Sequence, residues 1–174
     1  MSAKNDSCVI KSDMDESSLL QWYLEQVADT NDALREEGTR EDAAHVTETV
    51  LVVDDNDALR RFVTRGLQIR GYRTLTAANG FQALHIAECH SGHIDALVTD
   101  INMPYLDGKE LARRLTAIRP QLRVLFMSGC VYDEAAEVMT SGRVFLQKPF
   151  SPGQLWSGLR EALDHKGDEP SSQR

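Results

Sequence analysis

Residues 49–165 are predicted to form an α/β domain: a parallel sheet of five strands, doubly wound, with helices on both faces. Two observations predict it. The apolar runs are short and nearly continuous, as in strands buried on both sides, and they alternate strictly with stretches of helical periodicity. Thr49–Val53 (TVLVV) reads as the first buried strand, ending at Asp54-Asp55. Asn56–Arg70 follows with Leu59, Phe62, Val63, Leu67 and Ile69 at helical spacing, closed by Gly71. Tyr72–Ala77 is the second strand, and Asn79-Gly80 opens a second helix that runs to about Cys89. Ile94–Thr99 (IDALVT) is a third strand ending at Asp100, and Leu106–Ile118 is a helix stopped by Pro120. Arg123–Met127 (RVLFM) leads to Ser128-Gly129, and Val131–Ser141 is a weaker helix. Arg143–Leu146 is the fifth strand, and Ser151–Leu163 the fifth helix, after Lys148-Pro149. Right-handed crossovers leave few topologies for such a chain.

Charge marks a boundary before this domain. Residues 1–48 hold 4 Lys/Arg against 12 Asp/Glu, whereas residues 49–174 hold 15 of each. That balance gives no overall attraction to nucleic acid or to anionic lipid. Of the 174 residues 41% are hydrophobic and 26% charged, as in globular proteins. Runs such as Val50–Val53 and Val124–Met127 fall far short of the ~20 residues that span a bilayer. Met1–Asp15 is too polar for a signal peptide. Cys8, Cys89 and Cys130 are odd in number and widely spaced, which argues against disulfides or zinc and for a reducing cytoplasm. His45, His85, His90, His93 and His165 show no metal spacing and read as surface groups.

In open parallel sheets, ligands collect outside the carboxyl ends of the strands. Those ends carry Asp54-Asp55, Asp100, Ser128 and Lys148. Converging carboxylates repel one another. A hard divalent cation and an ammonium relieve that repulsion, and Mg²⁺ suits one or two carboxylates completed by waters and a phosphate. A carboxylate nucleophile, a metal, a hydroxyl and a lysine fit phosphoryl transfer.

The strings VLVVDDN (50–56), LVTDINMPYLDG (97–108), LFMSG (125–129) and FLQKPF (145–150) resemble the receiver domain of two-component response regulators, over about residues 49–165. The resemblance implies strand order 2-1-3-4-5. It implies Asp100 as phospho-acceptor, with Mg²⁺ held by Asp55 directly, by Asp54 through water, by Asp100 and by the backbone carbonyl of Asn102. Ser128 and Lys148 would contact the phosphoryl group and Phe145 would be the aromatic switch. A cis Lys148-Pro149 bond is also implied. The donor would be a histidine kinase or phosphotransfer protein, and the output a change in protein–protein contacts, with slow self-dephosphorylation rather than conventional enzymatic turnover.

Each assignment has a plainer competitor. Asp54, Asp55 and Asn56 are all residues that cap helices. Asp100 before the Met103-Pro104 bend is a reasonable turn residue, Ser128-Gly129 a plain strand end, Phe145 a strand aromatic and Lys148 a solvated lysine. Cys130, two residues past Ser128, reads as an inert small residue. The constellation, not any member, favours the site. A hydrolase with an aspartyl-phosphate intermediate would want Asp at position 102, where Asn stands; Asp57 supplies that spacing only from Asp55. No phosphate-binding glycine loop is present.

After the receiver only Lys166–Arg174 remains, a polar tail too short to fold, so direct DNA binding is not expected. The style of the motifs is also similar to receivers of hybrid sensor kinases, which adds a phosphorelay intermediate or phosphate sink as an alternative role. In the acidic extension, residues 18–37 place Leu20, Tyr23, Leu24, Val27 and Leu34 mostly on one helical face, with Ser18 and Gln21 as a capping box and Gly38 as a stop. A lone helix of this length needs a surface to pack on. Docking on the receiver or partial disorder is one expectation; a partner or homodimer helix, with Leu20, Leu24 and Val27 at the seam and Trp22 on its border, is the other.

Overall fold

The structure, a computed structural model, describes residues 47–129 and 143–164. The extension with its helix at 18–37, the helix expected at Val131–Ser141, Cys130 and the tail at 166–174 lie outside the described residues. Within them the chain runs β1 (Thr49–Val53), α1 (Asp57–Ile69), β2 (Arg73–Ala77), α2 (Gly80–Cys89), β3 (Ala96–Asp100), α3 (Gly108–Ile118), β4 (Arg123–Ser128), β5 (Val144–Gln147) and α4 (Pro152–Asp164). All pairings are parallel, in the order β2-β1-β3-β4-β5.

Strand alternation feeds two hydrophobic layers. Val50, Val52, Val98, Leu125 and Met127 point to α1 and α4, where Leu59, Val63, Leu67, Leu155 and Leu159 meet them. Leu51, Val53, Leu97 and Phe126 point to α2 and α3, against Ala83, Ala87, Leu111 and Leu115. Most of these side chains are fully buried, and each such Leu or Val stabilises the fold by roughly 1.5–3 kcal/mol.

Helix starts are set by side-chain caps. Asn56 Oδ1 accepts from Leu59 N at 3.0 Å, Asn79 Oδ1 from Gln82 N at 2.9 Å, and Asp107 Oδ1 from Glu110 N at 2.8 Å. Arg119 satisfies the other end of α2, donating to the carbonyls of Ala87, His90 and Gly92.

Boundaries move by one or two residues from expectation. β3 starts at Ala96 rather than Ile94, and α3 at Gly108 rather than Leu106, because Asp107 takes the cap. Strand order reverses at β1, with β2 on one side and β3 on the other. The crevice beyond the carboxyl ends of β1 and β3 is therefore where a ligand fits.

Candidate functional site

Two fully buried strands deliver the acidic groups. β1 ends at Val53 and the chain turns into α1, leaving Asp54 wholly buried and Asp55 exposed beside it. Asp54 Oδ1 accepts from Asn56 N at 2.8 Å, and its carbonyl accepts from the Arg60 guanidinium at 2.7 Å. β3 ends on Asp100, which is 8% exposed. One ligand oxygen from each of Asp54, Asp55 and Asp100 lies within 4.8 Å of the others.

The opposite wall comes from β4 and β5. Met127 pairs with Asp100 across the sheet, which sets Ser128 one residue further along the rim, fully buried. Lys148 follows β5; its amide donates to the Ser128 carbonyl at 2.7 Å, and the Lys148-Pro149 bond is cis. Its ammonium reaches Asp54 Oδ2 at 3.0 Å and Asp100 Oδ1 at 3.1 Å. Asn102 is exposed in the loop directly after Asp100. Phe145 stands in β5 opposite Phe126, half-buried against the α2–α3 layer.

One ammonium thus serves two buried carboxylates, with a third at the mouth. Burial pushes the Asp100 carboxyl up to about 6, and the nearby Asp54 charge adds to this while Lys148 opposes it. Asp54 is raised for the same leading reason, again against the pull of Lys148. The donor set is all oxygen, carries more negative charge than Lys148 neutralises, and opens to solvent at Asp55. Those features suit a hard divalent cation that keeps part of its water shell.

Capping and site chemistry turn out to be divided between neighbours. Asn56 caps α1, while Asp54 faces Lys148. Gly108 is a contributor that sequence reasoning passed over. A Cβ there would lie 2.1 Å from the Asp100 carbonyl oxygen, and its amide donates to Ile101 O at 2.9 Å. The start of α3 is thereby pressed against the backbone of Asp100. The only signal in the sequence was a glycine just after the Asp107 cap. Arg60, which lies within the helix expected at Asn56–Arg70, donates to the Asp54 carbonyl, a contact that the helical spacing does not signal.

Residues 50–160 match the response regulator receiver domain family. Over 118 residues the chain is 41% identical to the sensor kinase CckA of Brucella abortus, covering 67% of this chain and 12% of that kinase. Among solved structures, the receiver domain of the hybrid histidine kinase CckA is 36% identical, with a TM-score of 0.57, covering 66% of this chain and 98% of that one. A response regulator receiver domain protein from Clostridium thermocellum is 29% identical, with a TM-score of 0.63, covering 68% and 96%. The chain spans about half the length, or less, of the curated relatives it matches.

Proposed function

The chain belongs to the response regulator receiver domain family, and from that premise we propose that Asp100 is the phospho-acceptor of a phosphorylation-dependent switch. The observation that carries this reading is the convergence of Asp54, Asp55 and Asp100 on one rim, with Lys148 bridging two of them. An Asp100 carboxylate oxygen attacks the phosphorus of a phosphohistidine on a histidine kinase or phosphotransfer protein. The P–O bond forms as the P–N bond breaks, and the imidazole leaves. Asp54, Asp55, Asp100 and the Asn102 carbonyl would hold Mg²⁺, which supplies charge neutralisation to the phosphoryl oxygens.

Once Asp100 carries the phosphoryl group, the Lys148 ammonium pairs with it, and the Ser128 hydroxyl donates to a phosphoryl oxygen. The new charge redistributes Lys148 away from Asp54. Phe145 then turns with β5, changing the surface that the helix expected at Val131–Ser141, β5 and α4 present to a downstream protein. One phosphoryl group is taken up per chain and slowly released, so the domain works as an acceptor and not as a turnover enzyme. No helix among the described residues is long and apolar enough to cross a membrane. The receiver would occupy 49–165, flanked by the acidic extension 1–48 and the tail 166–174.

Likeness to the CckA receiver favours a second role for the same site, as a relay intermediate or phosphate sink beside a hybrid kinase. Both roles require Asp100. Asp100→Asn keeps the shape and removes the nucleophile, so label from a small acyl phosphate or a kinase panel should no longer enter the protein in Mg²⁺. Uptake at the wild-type level would end the assignment. Asp55→Ala should weaken Mg²⁺ binding in an NMR titration.

A further inference from the structure

The outer face of α1 carries an arginine groove that the phosphoryl chemistry does not use. Arg60, Arg61, Arg65 and Gln68 line it together with Thr76 of the edge strand β2, around a cavity of about 380 Å³. Among the described residues its one lining carboxylate, Asp57, is already shared by Arg60 and Arg61 at one end. Arg65 is exposed, and among the described residues its side chain has no ion-pair partner. The groove is therefore a positive concavity with its own carboxylate spent. The other arginine pair of note, Arg113 and Arg114, is bound by Glu110 on the same helix at 2.6 and 2.7 Å.

The chain enters the domain beside this groove. Arg73 N, at the start of β2, donates to Glu48 O at 3.0 Å. β2 is the sheet edge that walls the groove, and Gln68 Nε2 reaches Thr74 Oγ1 on it at 2.9 Å. The 46 residues before Thr47 carry 11 Asp/Glu against 4 Lys/Arg. Glu25, Asp29, Asp32 and Glu36 are spaced four, three and four apart, so on a helix they form one acidic stripe. Arg61, Arg65 and Gln68 repeat that spacing, four then three, on α1.

We propose that the acidic segment 1–46 docks in cis on the arginine groove of α1, its carboxylate stripe pairing with Arg61 and Arg65. Reach does not limit it: α1 with its 13 residues is about 20 Å long, and 46 residues extend several times further. A tether of this kind gives an effective concentration on the order of mM, so individually weak surface pairs suffice. Because α1 begins two residues after Asp55, the docked segment lies beside the mouth of the acidic site and adds negative charge there.

The test is read by ¹⁵N–¹H NMR on the intact protein, without phosphorylation, so its outcome is independent of the role of Asp100. Glu25→Gln, Asp29→Asn, Asp32→Asn and Glu36→Gln are combined in one variant; all lie outside residues 47–164. The amides of Arg61, Thr64, Arg65, Gln68 and Thr76 should shift relative to wild type. Raising NaCl from about 0.05 to 0.5 M should move the wild-type amides the same way, because screening shortens to a few ångströms. Arg61→Glu with Arg65→Glu should abolish both responses. Coincident spectra of wild type and the neutralised variant would overturn the proposal. So would shifts centred on α3, or shifts that vanish on dilution, which would make a second copy the occupant.

Discussion

The carboxylates of the site stand on the middle of the sheet, whereas Lys148 and Phe145 come from its edge, and the two supports differ in kind. β1 and β3 are buried along their whole length, with neighbours on both sides and a helix layer on each face. β5 is four residues long, pairs among the described residues only with β4, and leaves Phe145 half-buried and Gln147 exposed. On the proposed reading, the carboxylates that would hold a metal and a phosphoryl group gain from the first kind of support. Phe145, proposed to report the change, would gain from the second, because shifting an edge strand disturbs fewer buried contacts.

The sharpest way to break the fixed half is Gly108→Ala. The added Cβ would meet the Asp100 carbonyl oxygen at 2.1 Å and the Ile101 Cα at 3.1 Å, all backbone, with no flexible side chain to give way. Overpacking of this severity should cost about 3 kcal/mol or more, read by urea or thermal unfolding, and phosphoryl uptake should fall with it. A variant as stable as wild type would show that the α3 start is free to move, and the fixed half would not be fixed.

Lys148→Ala attacks the link between the halves. It leaves the buried Asp54 and Asp100 facing each other without their ammonium. Breaking a buried pair from one side costs on the order of 3–5 kcal/mol. The loss should be larger at pH 7.5 than at pH 5, where carboxylate protonation relieves it, and added Mg²⁺ should restore part of it. Phosphorylation should remain detectable but uncoupled from partner binding.

How far these halves were legible in the sequence follows the same division. Apolar runs ending in Asp marked β1 and β3 and the rim they share, because a strand buried on both faces has to be continuous in sequence. Helix starts at Asn56 and Asn79 were readable from cap chemistry, while the start of α3 slipped to Gly108 because Asp107 competes with the apolar pattern. Which of two adjacent aspartates turns inward was not readable: Asp54 is buried and Asp55 exposed through the turn into α1, a tertiary outcome. The Lys148 ammonium was expected among these carboxylates, but not which of them it would bridge: it reaches both Asp54, 94 residues away, and Asp100. The contact of Gly108 with Asp100 is invisible for the same reason, since it is an approach of two backbones.

Titration sharpens the comparison further. Asp100 has its carboxyl raised to about 6 from an ordinary 3.8, chiefly by burial, so between those values the folded protein binds more protons than the unfolded chain. Stability is then fully present below the unfolded value and declines as pH rises through the folded one. The decline should be on the order of 2–3 kcal/mol between about pH 4 and 6, with Asp54 acting in the same direction. Asp100→Asn should flatten this slope and raise the melting temperature at pH 7.5. A wild-type stability that climbs steadily from pH 4 to 7 would contradict the buried-charge account.

The smallest effect should come from Phe145→Leu. The ring packs on the α2–α3 layer from an edge strand and is only half-buried, so a smaller apolar side chain should cost about 1 kcal/mol. Asp100 and its ion pair with Lys148 are supported three residues further along and across the sheet, so uptake from a small acyl phosphate should stay at the wild-type rate. What should shrink is the phosphorylation-induced shift of amides in β5 and α4, because leucine lacks a planar ring to rotate between two packings. Uptake lost along with the shift would place the ring within the chemistry. A cost well above 3 kcal/mol would make Phe145 a pillar of the core like Phe126. Either result would erase the distinction between a fixed acidic half and a responsive edge.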